Sequence, residues 1–82
     1  MDFRMKKVID LHGISHEKAL VMVEEYLLMN SFGNDLELEL ITGKSPKLQK
    51  KIIENILIKY DFNYYIPNHN TGMMYITDTK IN

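Results

Sequence analysis

The sequence predicts a two-layer α/β sandwich of order β-α-β-α-β-β, with a mixed sheet and both helices on one face. Three observations predict it. Stretches of strand character take turns with stretches of helical spacing, separated by glycine and proline turn signals. The middle strand is apolar on one side only, so only one face of the sheet can be covered by helices. Two strand-like segments with a short loop between them close the chain, which is the pattern of a hairpin.

Taken in order, Lys6 to His12 reads as a strand centred on Val8 and Ile9. Gly13-Ile14-Ser15 then turns into a helix for which Ser15 is the N-cap, with Glu17 at its positive end. Ala19, Met22, Val23, Tyr26 and Met29 share one helical face, and Gly33 supplies a C-terminal stop. From Asp35 to Thr42, Leu36, Leu38 and Leu40 alternate with Glu37 and Glu39. That is a strand with one dry and one wet face. Ser45 caps the second helix and Pro46 occupies its first position, where a missing N–H costs nothing. Leu48, Ile52, Ile53, Ile56, Leu57 and Tyr60 form its buried stripe; Lys47, Lys50, Lys51 and Glu54 form its solvated one, with Ile58 off the apolar stripe. Phe62 to Pro67 and Met73 to Thr77 are the last two strands. The connections make the first three strands parallel in direction and the last antiparallel.

With 82 residues there is one domain, a thin core, and no room for a dinucleotide fold or a deep pocket. The absence of cysteine excludes disulfides, thiolate zinc sites and cysteine nucleophiles. No apolar run approaches the ~20 residues of a membrane span, and no hydrophobic stretch follows the basic residues near Met1, so the expected location is the cytoplasm. Ten Lys and Arg against eleven Asp and Glu, net charge −1, rule out a uniformly basic coat. A local basic face remains open to it.

In a parallel α/β sheet the ligand site lies at the carboxyl ends of the strands. Three loops are expected there: Asp10-Leu11-His12-Gly13, Thr42-Gly43-Lys44-Ser45, and Asn68-His69-Asn70-Thr71-Gly72. The second passes from a strand through a glycine turn to a helix start, an arrangement that suits an anion. It lacks the spacing of a Walker A loop, because position 38 is leucine. Its alternative role is simply to shape the helix entrance. Four lysines and no acid fall between Lys44 and Lys51, either a solvated face or a patch that tracks phosphates. Asp10 and His12 are two apart in a strand and so share a face, where a carboxylate can orient an imidazole for proton transfer. The plainer alternative is a strand-end histidine bonded to a loop. His69 is a further acid–base group, a phosphate contact or an ordinary loop residue, and His16 is expected in solvent. A metal on Asp10, His12 and His69 has no ligand spacing to support it. Tyr64, Tyr65 and Tyr75 offer either base-stacking rings or ordinary packing.

At these residues the chain resembles a small MutS-related (Smr) domain. Val8-Ile9-Asp10-Leu11-His12-Gly13, followed by Ser15-His16-Glu17-Lys18-Ala19, resembles the family's Asp-Leu-His-Gly strand motif and its Thr-x-x-Glu-Ala helix start, with the acidic residue one place early. Leu40-Ile41-Thr42-Gly43-Lys44-Ser45 is similar to the family's second motif, Thr-Gly-x-Gly, with Ser45 in place of the second glycine; Thr71-Gly72 resembles a reduced form of its glycine-rich turn. The resemblance covers residues 7 to 78 of a single Smr-like domain spanning 1–82. It implies a β-α-β-α-β-β sandwich like the C-terminal domain of the bacterial third translation initiation factor. It also implies nucleic-acid binding, with endonuclease activity on RNA or on nicked or branched DNA, often as a module of a larger protein. Carried over by position, Asp10 and His12 are the catalytic motif. Gly13, Thr42, Gly43, Lys44, Ser45, Lys47, His69 and Gly72 are the candidate phosphate contacts. No metal ligand is assigned; a divalent ion would serve cleavage of DNA, whereas the 2′-hydroxyl of RNA needs none. The competing expectations are a non-cleaving nucleic-acid-binding module and a protein-interaction domain.

Overall fold

The computed structural model describes residues 5–30 and 36–77. The expected order is present: β1 (Met5–Asp10), α1 (His16–Asn30), β2 (Leu36–Ile41), α2 (Pro46–Ile52), β3 (Asn63–Tyr65) and β4 (Met73–Thr77). The stop assigned to Gly33 lies outside the described residues. The sheet runs β1-β2-β4-β3, with β1 and β2 parallel and β4 antiparallel to both its neighbours. β4 therefore inserts between β2 and β3, so the third strand shares the direction of the first two without touching them.

Register divides the sheet into two faces. Ile9, Leu40 and Met74 align across β1, β2 and β4, as do Leu38 and Ile76 across β2 and β4. The β2 and β4 members are buried and Ile9 packs beside them; all meet Ala19, Val23 and Leu27 of α1 and Leu48 and Ile52 of α2 in one core. Both helices thus lie on the same face. The other face carries Val8, Asp10, Glu39, Ile41, Met73 and Tyr75 at the alternate positions. No helix among the described residues is long and apolar enough to cross a membrane.

Two elements differ from expectation. In α1 the buried stripe is Ala19, Val23 and Leu27, whereas Met29 is 68 % exposed. Residues four apart stay within about 40° of each other on a helix, but Met29 lies six after Val23 and so about 120° round the axis. The second helical run does reach Tyr60 but changes pitch: after Ile52 it widens into a π-helical segment, Ile53–Leu57, with Ile58 N–H bonded to Ile53 O at 2.9 Å. It ends in a Schellman motif. Phe62 N–H reaches Leu57 O at 2.9 Å and Asp61 N–H reaches Ile58 O at 3.3 Å, with Asp61 at φ 60° where glycine is usual. At this same end of the run, Tyr60 Oη donates to Glu24 Oε2 at 2.8 Å and fastens it to α1.

Candidate functional site

β1 stops at Asp10, two residues before the expected end at His12. The Asp10 carboxylate accepts the His12 backbone N–H at 2.9 Å, and Ile14 N–H bonds to Leu11 O at 3.1 Å, closing a turn over Leu11–Ile14. Gly13, third in that turn, sits at φ +78°, the requirement of a type II turn. The expected strand face shared by Asp10 and His12 is thereby replaced: Asp10 bonds the backbone of His12 and not its ring, because an aspartate at a strand end readily folds onto the amide two residues on. The His12 side chain is exposed. Ser15 then caps α1 by accepting Lys18 N–H at 3.3 Å.

The turn after β2 is docked to this one and to the hairpin. Leu11 N–H donates to Ile41 O at 2.9 Å, continuing the β1–β2 ladder and holding the first loop to the end of β2, where the second begins. Thr42 and Gly43 both donate their N–H groups to Gly72 O, at 2.9 and 3.0 Å, linking the second and third. The two glycines touch: a Cβ on Gly72 would lie 3.3 Å from the Gly43 carbonyl carbon and 3.4 Å from its Cα. Gly43 itself is at φ +68°. The three loops do converge on one rim.

The residue that ties the rim together is one the sequence reading missed. Gln49 sits in α2 among lysines, yet it is 8 % exposed. Its Nε2 donates to Thr42 Oγ1 at 2.9 Å and to Thr71 O at 2.7 Å. Thr42, 5 % exposed, has its hydroxyl within reach of Gly72 O at 3.1 Å and Gly43 O at 2.8 Å. The carbonyl of Thr71 can only accept, which fixes which end of the amide faces it. A glutamine between Leu48 and Lys50, one position after a core leucine, was the available signal. The helical wheel places it at the border of the apolar stripe.

Burial sorts the expected contacts into two groups. Thr42 and Gly72 are buried, with Thr42 N–H, Thr42 Oγ1 and Gly72 O paired inside the protein. They build the rim. His12, Gly13, Lys44, Lys47 and His69 are exposed on it, and Ser45 is half-buried. Ser45 caps α2 by accepting Leu48 N–H at 3.4 Å, while its own N–H goes to Gly43 O at 2.8 Å. The donors of Thr42, Gly43, Ser45 and Leu48 are thus already spent, so what this loop has left to offer an anion is mainly its side chains. His69 lies on a turn closed by Asn70 N–H to Pro67 O at 3.2 Å.

His16, expected in solvent, is half-buried, and Lys51 Nζ lies 3.1 Å from its Nδ1. A lysine ammonium can only donate, so Nδ1 is the acceptor in this contact. The contact ties α2 to the start of α1. Lys44, Lys47, Lys50 and Lys51 are all exposed, and the first turn of α2 holds no acid.

The tyrosines do not join this rim. Tyr65 and Tyr75 are register partners on the open face, stacked on each other at 5.0 Å between centroids and 17° between planes. Partial burial, and then the Glu39 carboxylate bonded to it, hold the Tyr75 hydroxyl above its ordinary value of 10.0. Carboxylates on this face oppose phosphate. Among the described residues, no three His, Asp or Glu side chains gather into a group that could hold a metal ion.

No protein-family model, no curated protein and no solved structure matches the chain.

Proposed function

We propose that this is an Smr-like domain of the cytoplasm that binds nucleic acid by its phosphate backbone along the rim, with His12 giving it endonuclease capacity. The observation that carries the reading is the joining of the second and third strand-end loops by the Gly72 and Gln49 hydrogen bonds, beside the first loop, which Leu11 N–H holds to the end of β2; this leaves His12, Lys44, Lys47 and His69 exposed at the strand ends. A phosphodiester lies against the turn between β2 and α2. Lys44 and Lys47 offset its charge, and the sequence-independent attraction follows from counterion release. His12 stands on the adjoining turn, whose backbone Asp10 holds.

On RNA, neutral His12 takes the proton of the 2′-hydroxyl as that oxygen attacks phosphorus. The 5′-oxygen leaves with a proton from solvent, and a cyclic phosphate remains. On DNA a water must take the place of the 2′-hydroxyl. A second reading, a binding module that does not cleave, draws support from Asp10: its bond to the His12 amide leaves the imidazole without a carboxylate to fix its tautomer.

One experiment tests both. Labelled RNA and nicked, branched and supercoiled DNA are incubated with the protein in magnesium, manganese or EDTA, beside His12→Ala. Cleavage by the parent and not by the variant supports the nuclease. Salt-sensitive binding without product supports the module, and cleavage untouched by the substitution removes His12 from its role.

A further inference from the structure

We propose that a cleft on the open face of the sheet, walled by Tyr65, Tyr75 and Glu39, is the docking site for an arginine side chain of a partner protein. The cleft lies across the sheet from the helices and does not depend on nucleic-acid binding at the rim.

Strand pairing sets its walls. Tyr65, Tyr75, Glu39 and Val8 form one row across β3, β4, β2 and β1, and Asn63, Thr77 and Glu37 belong to the next. Side chains alternate along a strand, so both rows point away from the helices. Where the rows meet there is a cleft of about 200 Å³, lined by Tyr65, Tyr75, Glu37, Glu39 and Thr77. The two rings are stacked, 5.0 Å between centroids and 17° between planes. Tyr65, on the edge strand, is 58 % exposed. The Tyr75 hydroxyl is bonded to the Glu39 carboxylate. A carboxylate has about four lone-pair sites, so that one bond leaves Glu39 able to accept others.

The chemistry of the walls selects the occupant. Phenol rings attract a cation, and a carboxylate beside them strengthens the attraction. The described side chains that the four strands place on this face include Asp10, Glu37 and Glu39 and no Lys, Arg or His. Glu37, opposite Lys6 of β1 in the register, adds its charge to the wall but is not needed for the contact. A guanidinium suits the cleft better than an ammonium: it is planar and lies flat against a ring, while its fork of N–H donors reaches Glu39. The volume names the source. Sites for small molecules run upward from about 300 Å³, whereas this cleft holds little more than the end of one side chain. Around it the sheet is flat, with Val8 exposed and Ile41 and Met73 half-buried, so the chain that flanks the arginine has apolar surface to rest on.

The test is titration of isotopically labelled protein, followed through its backbone amides by NMR. The ligands are acetyl-arginine amide, its lysine and neutral citrulline counterparts, and a blocked tripeptide of arginine between two valines. Shifts are expected at Glu37, Glu39, Tyr65, Tyr75 and Thr77 and not at Lys44–Lys47. Arginine is expected to bind more tightly than lysine, the tripeptide more tightly than arginine amide, and citrulline not at all. Glu39→Gln, with unchanged circular dichroism, is expected to weaken the tripeptide about tenfold, and Tyr65→Leu about threefold. No shifts on this face at millimolar ligand, citrulline or lysine binding like arginine, or a Glu39→Gln variant that binds as the parent does overturns the proposal. So does arginine amide that binds as tightly as the tripeptide, which would make the ligand a small free cation. Arginine that binds only after Lys6→Gln would mean that the chain's own lysine fills the cleft, and overturns it too.

Discussion

Replacing Gln49 by methionine isolates the side-chain hydrogen bonds that join α2 to the second and third loops. Methionine has nearly the same length and volume and leaves no cavity, but it cannot donate. Two acceptors then lose a partner, Thr42 Oγ1 and Thr71 O. Thr42 keeps its own donated bond, and Thr71 is exposed enough for water to reach its carbonyl. The cost is therefore nearer that of one unsatisfied buried group than of two, about 1–2 kcal/mol. For a domain of this size that lowers Tm by roughly 4–16 °C. Gln49→Glu should cost more, because it buries a charge and sets carboxylate oxygen against the Thr71 carbonyl. Thermal and urea denaturation followed by circular dichroism measures both. At temperatures where the methionine variant is fully folded, its affinity for nucleic acid should still fall, since the loops are no longer held in one arrangement. A methionine variant within about 0.5 kcal/mol of the parent would refute the claim that Gln49 holds the rim.

The close approach of Gly72 to Gly43 predicts that Gly72→Ala costs about 1 kcal/mol, because its Cβ presses on backbone that cannot rotate away; urea unfolding reads the change. Asp10→Asn keeps an oxygen for the His12 amide and should unfold with the parent, while Asp10→Ala should lose about 1 kcal/mol. An equal loss in both would mean that the carboxylate charge matters beyond the turn. The raised Tyr75 hydroxyl means that the folded state holds that proton more tightly than the unfolded chain. The contribution is complete below pH 10.0, the unfolded value, and is lost as pH rises through the folded value. Ultraviolet titration should show a late-titrating component that is lost in Tyr75→Phe and moves toward 10.0 in Glu39→Gln. Lys44→Ala and Lys47→Ala should each weaken nucleic-acid binding at low salt and flatten its salt dependence by about one unit of slope; unaltered slopes would place the backbone contact elsewhere.

The fold was legible because it is written in periodicities. Alternation in Leu36–Ile41 specified one dry face and hence both helices on one side. Ser45 and Pro46 marked the start of α2 to the residue. Strand order was not legible, since the insertion of β4 between β2 and β3 is a tertiary choice that no local pattern encodes. Nor was the π-helical widening, which depends on how Ile56 and Leu57 are both accommodated in the core. At the candidate site, the glycines announced the loops, but not which groups would be consumed in joining them. Thr42 looked like a ligand contact and is instead a buried strut. Asp10 looked like a partner for an imidazole and bonds a backbone amide, because that amide is the nearest donor once Gly13 turns the chain. Gln49 was hidden by its polarity: a side chain counted as solvated can be buried when two acceptors from other loops meet it.

The central claim is that an anionic polymer lies along the edge where the strands end. Titrating an isotopically labelled sample with a short single-stranded RNA, and following backbone amides by NMR, tests it most directly. The account predicts shifts confined to Leu11–Ile14, Lys44–Lys47 and Asn68–Thr71, fading as salt is raised. Shifts centred on Tyr65, Tyr75 and Glu39 on the open face, or none at low salt, would contradict it.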